Sequence, residues 1–134
     1  MGINLHNKEY SMDMGYGHFY NLRMTVAKLY DKDFAKLYES VCRAFFDDTR
    51  KKYVDELNQY IADHNLEEDD IVEFLFMPDS EGKITSKTCK RLYNIVKDYN
   101  DNYMYGYTYA NNSFAYFKEM LYDCATKHRK LFWR

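Results

Sequence analysis

Hydrophobic positions recur along most of this chain at spacings of three and four, the mark of helices with one buried face. Phe19, Leu22, Val26 and Leu29 form one stripe and predict a helix over 18–30. Phe34, Leu37, Val41 and Phe45 predict a second over 33–46, with Asp31 or Asp33 as its start signal. Tyr53, Leu57, Tyr60 and Ile61 predict a third over 49–63, capped by Asp47 or Asp48 or else fused to the second. Ile71, Phe74 and Leu75 mark a short helix over 67–76. Its first turn, with Glu67, Glu68, Asp69 and Asp70, complements the positive end of a helix dipole, and Pro78 ends it. Residues 78–84 read as a turn around Gly82. Thr85 or Ser86 then opens a helix to about Asp98, with Cys89, Leu92, Ile95, Val96 and Tyr99 inward. Asn112 or Ser113 opens a last helix to about residue 131, with Phe114, Phe117, Leu121, Cys124, His128 and Leu131 on its stripe. Residues 2–7 suit a short strand or an extended arm, 8–17 a loop in which Gly15 and Gly17 flank Tyr16, and 99–112 a Tyr- and Asn-rich loop or strand. The expected fold is all-α: a single helical domain over 1–134, a compact bundle of five or six helices with a short N-terminal strand and a Tyr-rich loop as its additions.

Composition narrows the class without naming a reaction. The 134 residues are 46% hydrophobic and 30% charged, which fits one globular domain and excludes disorder. No apolar run nears the ~20 residues of a bilayer span. The start, Met1 to His6, lacks the basic and apolar blocks of a signal peptide. Cys42, Cys89 and Cys124 are odd in number, widely spaced and on apolar helical positions, so buried free thiols in a reducing, cytoplasmic setting are expected. No CxxC or Cys/His cluster suits zinc. The stretch around Gly82 puts Asp79 and Glu81 at the third and fifth positions of a calcium loop, but Met77 and Thr88 occupy the first and twelfth, so no metal site is expected. No cofactor is expected either, since GKS/T and GxGxxG are both absent. A net charge of −2 argues against nucleic acid as a partner. The charge is nonetheless segregated. The stretch 66–81 carries acids without a Lys or Arg, and 83–97 carries Lys83, Lys87, Lys90, Arg91 and Lys97 without an acid.

Aromatic content is the anomaly. Fifteen Tyr among 134 residues exceed what an interior absorbs cheaply, because each buried hydroxyl needs a partner. Tyr103, Tyr105, Tyr107 and Tyr109 alternate, so an extended backbone would turn them to one side, where they could stack on a planar ligand. The glycine-flanked start at Tyr16 offers free helix amides to an anion, with His18 at the mouth and Arg23 further in. Lys127 and Arg129, near the end of the last helix, are further anion contacts, although cations there are favoured by the dipole alone. None of the four histidines pairs with another at i, i+4, and no known nucleophile motif is present.

Two segments, Gly-Tyr-x-x-Phe-x-x-Leu-Arg at Gly15 to Arg23 and Phe-Leu-Phe-Met-Pro-Asp-Ser-Glu-Gly-Lys-Ile at Phe74 to Ile84, resemble a group of small uncharacterised proteins of bacterial phages and mobile elements. Ser80 stands where those relatives tend to carry Cys, so no role resting on that thiol is carried over. The resemblance implies a phage-type accessory protein, of a kind that acts against host defence by sequestering a nucleotide signal or blocking a protein. The leading expectation is a helical binding protein, not an enzyme, that holds a small anionic, nucleotide-like ligand. Tyr16, Tyr105, Tyr107 and Tyr109 would stack on it, and Arg23, His18, Lys127 and Arg129 would meet its charge. The alternative is a protein–protein inhibitor or structural partner of a host protein, using the segregated charges. A third reading is a hydrolase or transferase acting on a nucleotide. Exposed aromatics also make a homodimer an expectation.

Overall fold

Two short strands open the chain, β1 (Ile3–His6) and β2 (Ser11–Met14), in a computed structural model that describes residues 2–106 and 112–134. Asn7 makes the hairpin between them, its side-chain oxygen accepting from the amides of Glu9 and Tyr10. Six helices follow: α1 (Tyr16–Tyr30), α2 (Lys32–Arg43), α3 (Asp47–Asp63), α4 (Asp70–Phe76), α5 (Ser86–Val96) and α6 (Ser113–Lys127). A third strand, β3 (Gly82–Ile84), lies between α4 and α5, and a fourth, β4 (Leu131–Trp133), follows α6. A helix thus forms at each expected place, and Asp31, Asp69 and Thr85 cap α2, α4 and α5 through their side chains.

The fold is mostly helical but not all-α. The four strands make one antiparallel sheet in the order β2-β1-β4-β3. The N-terminal strand was expected; the other three fall in stretches read as loop, turn and helix end. The sheet closes the core with its inner face, where Leu5, Ile84, Leu131 and Trp133 are buried, while Asn4, Lys83 and Phe132 face outward. Trp133 is the centrepiece. Its indole packs between Phe19 and Phe74 at centroid distances of 5.5 and 5.7 Å, and Nε1 donates to the Pro78 carbonyl at 3.0 Å. A Cβ on Gly82 would overlap that indole, which is why the turn carries glycine there.

Further differences fall at helix ends. The last helix stops at Lys127, where His128 adopts φ 56 and ψ 47, so His128 and Leu131 leave its stripe. The second and third helices are separate, joined by extended backbone at Ala44 and Phe46. Phe45 consequently turns outward instead of joining the core, and Leu29 is exposed as well. Cys89 and Cys124 are buried as expected, but Cys42 is exposed. A chromogenic disulfide reagent should therefore titrate one thiol per folded chain and three only after denaturation. Rapid reaction of two or more thiols in the native protein would contradict this packing. No described helix is long and apolar enough to cross a membrane.

Part of each charge block is spent inside the chain. Arg91 of α5 pairs with Asp69 at 3.4 Å and with Asp70, joining the acidic start of α4 to the basic helix beside it. The basic end of the chain is matched likewise by Glu9 and Asp123.

Candidate functional site

Arg23 lies in the middle of α1 and is 3% exposed. Its Nη1 donates to the Met77 carbonyl at 2.7 Å and reaches Asp79 at 3.3 Å and the Leu75 carbonyl at 3.5 Å. Those carbonyls sit at the end of α4, where a cation is favoured by the dipole. The guanidinium rests 4.2 Å over Phe19 and 5.4 Å from both Phe74 and Trp133. Nε and Nη2 have no hydrogen-bond partner among the described residues, so ring faces partly replace the missing oxygens. Burial lowers its pKa, against the opposing pull of Tyr38 and Asp79. Arg23 is thus a cation of the core rather than the wall of an open cleft.

The other expected site residues lie apart from it and, for the most part, from one another. Tyr105 is half-buried; its hydroxyl donates to Glu39 and accepts from Arg43 at 3.0 Å. The Glu39 bond, with burial, pushes its pKa up to about 12. Its ring meets the Tyr20 edge at 6.3 Å and carries the Lys28 ammonium at 4.9 Å. Lys127 and Arg129 do come together, but both pair with Glu9 and Asp123 at 2.9 to 3.3 Å, which raises their pKa values and lowers those of the acids. Tyr16 is exposed at the first position of α1. Tyr107 and Tyr109 lie outside the described residues. The described members of the expected set do not line one pocket, and their cations are committed to partners of the chain itself.

His18 does sit in a cleft. It is the third residue of α1, and its Nε2 lies 2.6 Å from Oγ of Ser113, the first residue of α6 and 95 positions away. The starts of these two helices therefore meet. Neither Gly15 nor Asn112 caps its helix with a side chain, and the amides of Phe114 and Ala115 have no carbonyl partner within α6. Beside the pair opens a cleft of about 540 Å³, lined also by Met12, Asp13, Met14 and Tyr116. Asn4 holds Asp13 at 2.8 Å, and the Ser11 amide donates to the Tyr116 hydroxyl at 3.3 Å. Partial burial lowers the pKa of His18 and so favours the neutral ring. Nothing in the sequence pairs Ser113 with His18; Ser113 reads there only as a helix start.

The second unusual place is the corner between α2 and α3. Phe45 is 96% exposed and Phe46 is 78% exposed. The first turns of α3, through Lys52, are exposed throughout, and Leu57 is the only fully buried residue of that helix. The corner thus stands clear of the core with two adjacent phenylalanines at its tip. Arg50, Lys51 and Lys52 follow them, against Asp47 and Asp48 in the first turn. One sequence signal existed: two adjacent Phe cannot both lie on one helical stripe.

A cavity of about 720 Å³ runs between α4 and α5 and mixes Glu68, Asp69, Asp70 and Glu73 with Lys83, Lys87 and Arg91. Its best-placed charges are already used. Asp69 accepts from Tyr30 and from the amides of Ile71 and Val72, and Asp70 accepts from Thr88 and Arg91. No group of three or more His, Cys, Asp or Glu side chains suited to a metal occurs among the described residues. Comparison with family models, with curated proteins and with solved structures finds no match to this chain.

Proposed function

We propose that this chain is a binding protein that docks onto a partner protein through the Phe45–Phe46 corner. The observation that carries this reading is the near-complete exposure of both rings on a corner that touches little of its own core. Together they offer roughly 300–400 Å² of aromatic surface, as much as the largest apolar patch of an ordinary monomer. Aromatic side chains are typical interface anchors, because a large area is buried with few rotors frozen. Three cations flank the rings against two carboxylates, and the helix dipole offsets part of that acidic charge. The occupant that fits is therefore an apolar groove with an acidic rim on another protein. For a phage-type accessory protein, that partner would be a host protein.

Burying two phenylalanines contributes about 1.5–3 kcal/mol each, so their joint removal should weaken binding by roughly 10² to 10⁴-fold. The test begins with a photo-crosslinking amino acid at position 46 in the producing cell, followed by identification of the adduct and reconstitution with the purified partner. Support requires a single heterologous adduct and a reconstituted complex that added salt weakens. Phe45→Ser with Phe46→Ser should weaken that complex at least 100-fold with no fall in melting temperature. Three outcomes would overturn the reading: no adduct, crosslinking only between copies of this chain, or capture of the chain by anionic lipid vesicles through the same two residues.

A further inference from the structure

We infer that Ser113 is a nucleophile activated by His18, and that the cleft beside them hydrolyses an ester or thioester of an uncharged acyl group. Two helices far apart in sequence bring the pair together, with Oγ and Nε2 at 2.6 Å, within the reach a general base needs. Ser113 is the first residue of α6, directly after the N-cap Asn112, and its Oγ meets an imidazole on another helix. A neutral ring with its proton on Nδ1 accepts the serine proton at Nε2.

The surroundings supply the rest of an acyl-transfer site. The first-turn amides at Phe114 and Ala115 lie one and two residues beyond the nucleophile, at the positive end of a 15-residue helix. Donors there stabilise the negative oxygen that develops when a carbonyl carbon is attacked. The cleft of about 540 Å³ is large enough for a small acyl substrate. Its lining also sets the class. Met12, Met14 and Tyr116 are largely apolar, and the Asp13 carboxylate repels an anionic acyl group.

The reaction balances with water as the only co-reactant. Ser113 Oγ attacks the acyl carbonyl carbon and its proton passes to Nε2 of His18. The tetrahedral intermediate collapses by breaking the bond to the leaving alcohol or thiol, which takes that proton. Water then attacks the acyl-serine, with His18 again as base. The acid is released and Ser113 is restored.

The test uses the full chain, a fluorophosphonate reporter, and p-nitrophenyl butyrate beside a p-nitrophenyl ester bearing a carboxylate. The expected result is one covalent adduct per chain, mapped to Ser113 by peptide mass, and faster hydrolysis of the butyrate. Ser113→Ala should abolish labelling while still melting cooperatively. His18→Ala should slow labelling by roughly 10² to 10⁴-fold. Ser113→Cys gives a readout separate from folding, since its thiol should be alkylated faster than the exposed Cys42 of the same chain. Absence of an adduct on the folded protein, labelling unchanged by His18→Ala, or a position-113 thiol slower than Cys42 would each reduce the pair to a strut between two helices. The Phe45–Phe46 reading is untouched by any of these outcomes, because its residues form no part of this cleft.

Discussion

Arg23→Ala should cost about 3–5 kcal/mol of stability, the usual penalty for emptying a large buried side chain from a packed core. For a domain of this size that is a fall of roughly 10–20 °C in melting temperature. The size follows from what the side chain does. Its stem and guanidinium fill the space between Phe19, Phe74 and Trp133, and its Nη1 holds the chain where α4 ends, at Met77. The ion pair with Asp79 adds little, because that carboxylate is 58% exposed and screened. Alanine would leave a cavity and an unpaired Met77 carbonyl together. Arg23→Met separates the two effects, since it restores most of the volume and carries no charge to desolvate. Two guanidinium nitrogens lack hydrogen-bond partners, so the methionine chain should lie within about 2 kcal/mol of the natural one. Chemical denaturation of the three proteins decides the point. If methionine proves as damaging as alanine, then the charge, and not the packing, holds the end of α4.

The same residue shows how far a sequence can be read. That Arg23 sits on α1 follows from the stripe Phe19, Leu22, Val26 beside it. That it faces inward does not, because arginine is seldom buried and no local pattern marks an exception. Most of the helices were legible because their stripes repeat over two to three turns, and Asp31 and Thr85 mark two of their starts; Asp69 read as part of a first turn, whereas it caps α4, which begins three residues later than expected. Three of the strands were not legible, because three or four residues cannot separate period 2 from period 3.6. Leu131 even continues the spacing of α6; what stops that helix is the left-handed conformation of His128, a residue type that gives no warning of it. The corner at Phe45 hid for a related reason. Its spacing from Val41 is helical, but α2 ends at Arg43 without a glycine or proline to mark the stop.

Part of the tyrosine excess has a structural explanation that counting could not supply. Tyr30 donates to Asp69 at 2.8 Å, Tyr60 to Asp31 at 2.6 Å and Tyr105 to Glu39. Each ring packs at the edge of the core while its hydroxyl fastens to a carboxylate on a neighbouring element. The carboxylates push the pKa values of Tyr30 and Tyr60 up to about 12, for Tyr30 with burial as the larger cause. A phenol offers an apolar face and one strong donor, and this chain uses the combination as a tie between helices. The candidate sites draw little on it. Ser113, Phe45 and Phe46 became visible only once the fold set two helix starts side by side and left one corner outside the core.

Trp133→Ala should cost about as much as Arg23→Ala, again about 3–5 kcal/mol, although Trp133 lies next to the last residue of the chain. The indole is 1% exposed, and it meets Phe19 of α1, Phe74 of α4 and the Pro78 carbonyl while filling the space that a Cβ on Gly82 would take. Its strand carries equal weight. β4 pairs with β1 on one side and with β3 on the other, so the sheet is continuous only through it. The neighbouring residue makes the control. Phe132 belongs to the same strand but points to the opposite face, where it is 38% exposed and stacks on His6 at 5.8 Å. Phe132→Ala should therefore cost no more than about 1 kcal/mol, the usual scale of a cross-strand pair at a surface. Side-by-side urea denaturation measures the contrast with the backbone pairing preserved in both variants. Equal losses would mean that β4 acts only through its backbone. A large loss confined to Trp133 would mean that the indole locks sheet to helices, and that the core is closed by the last strand of the chain.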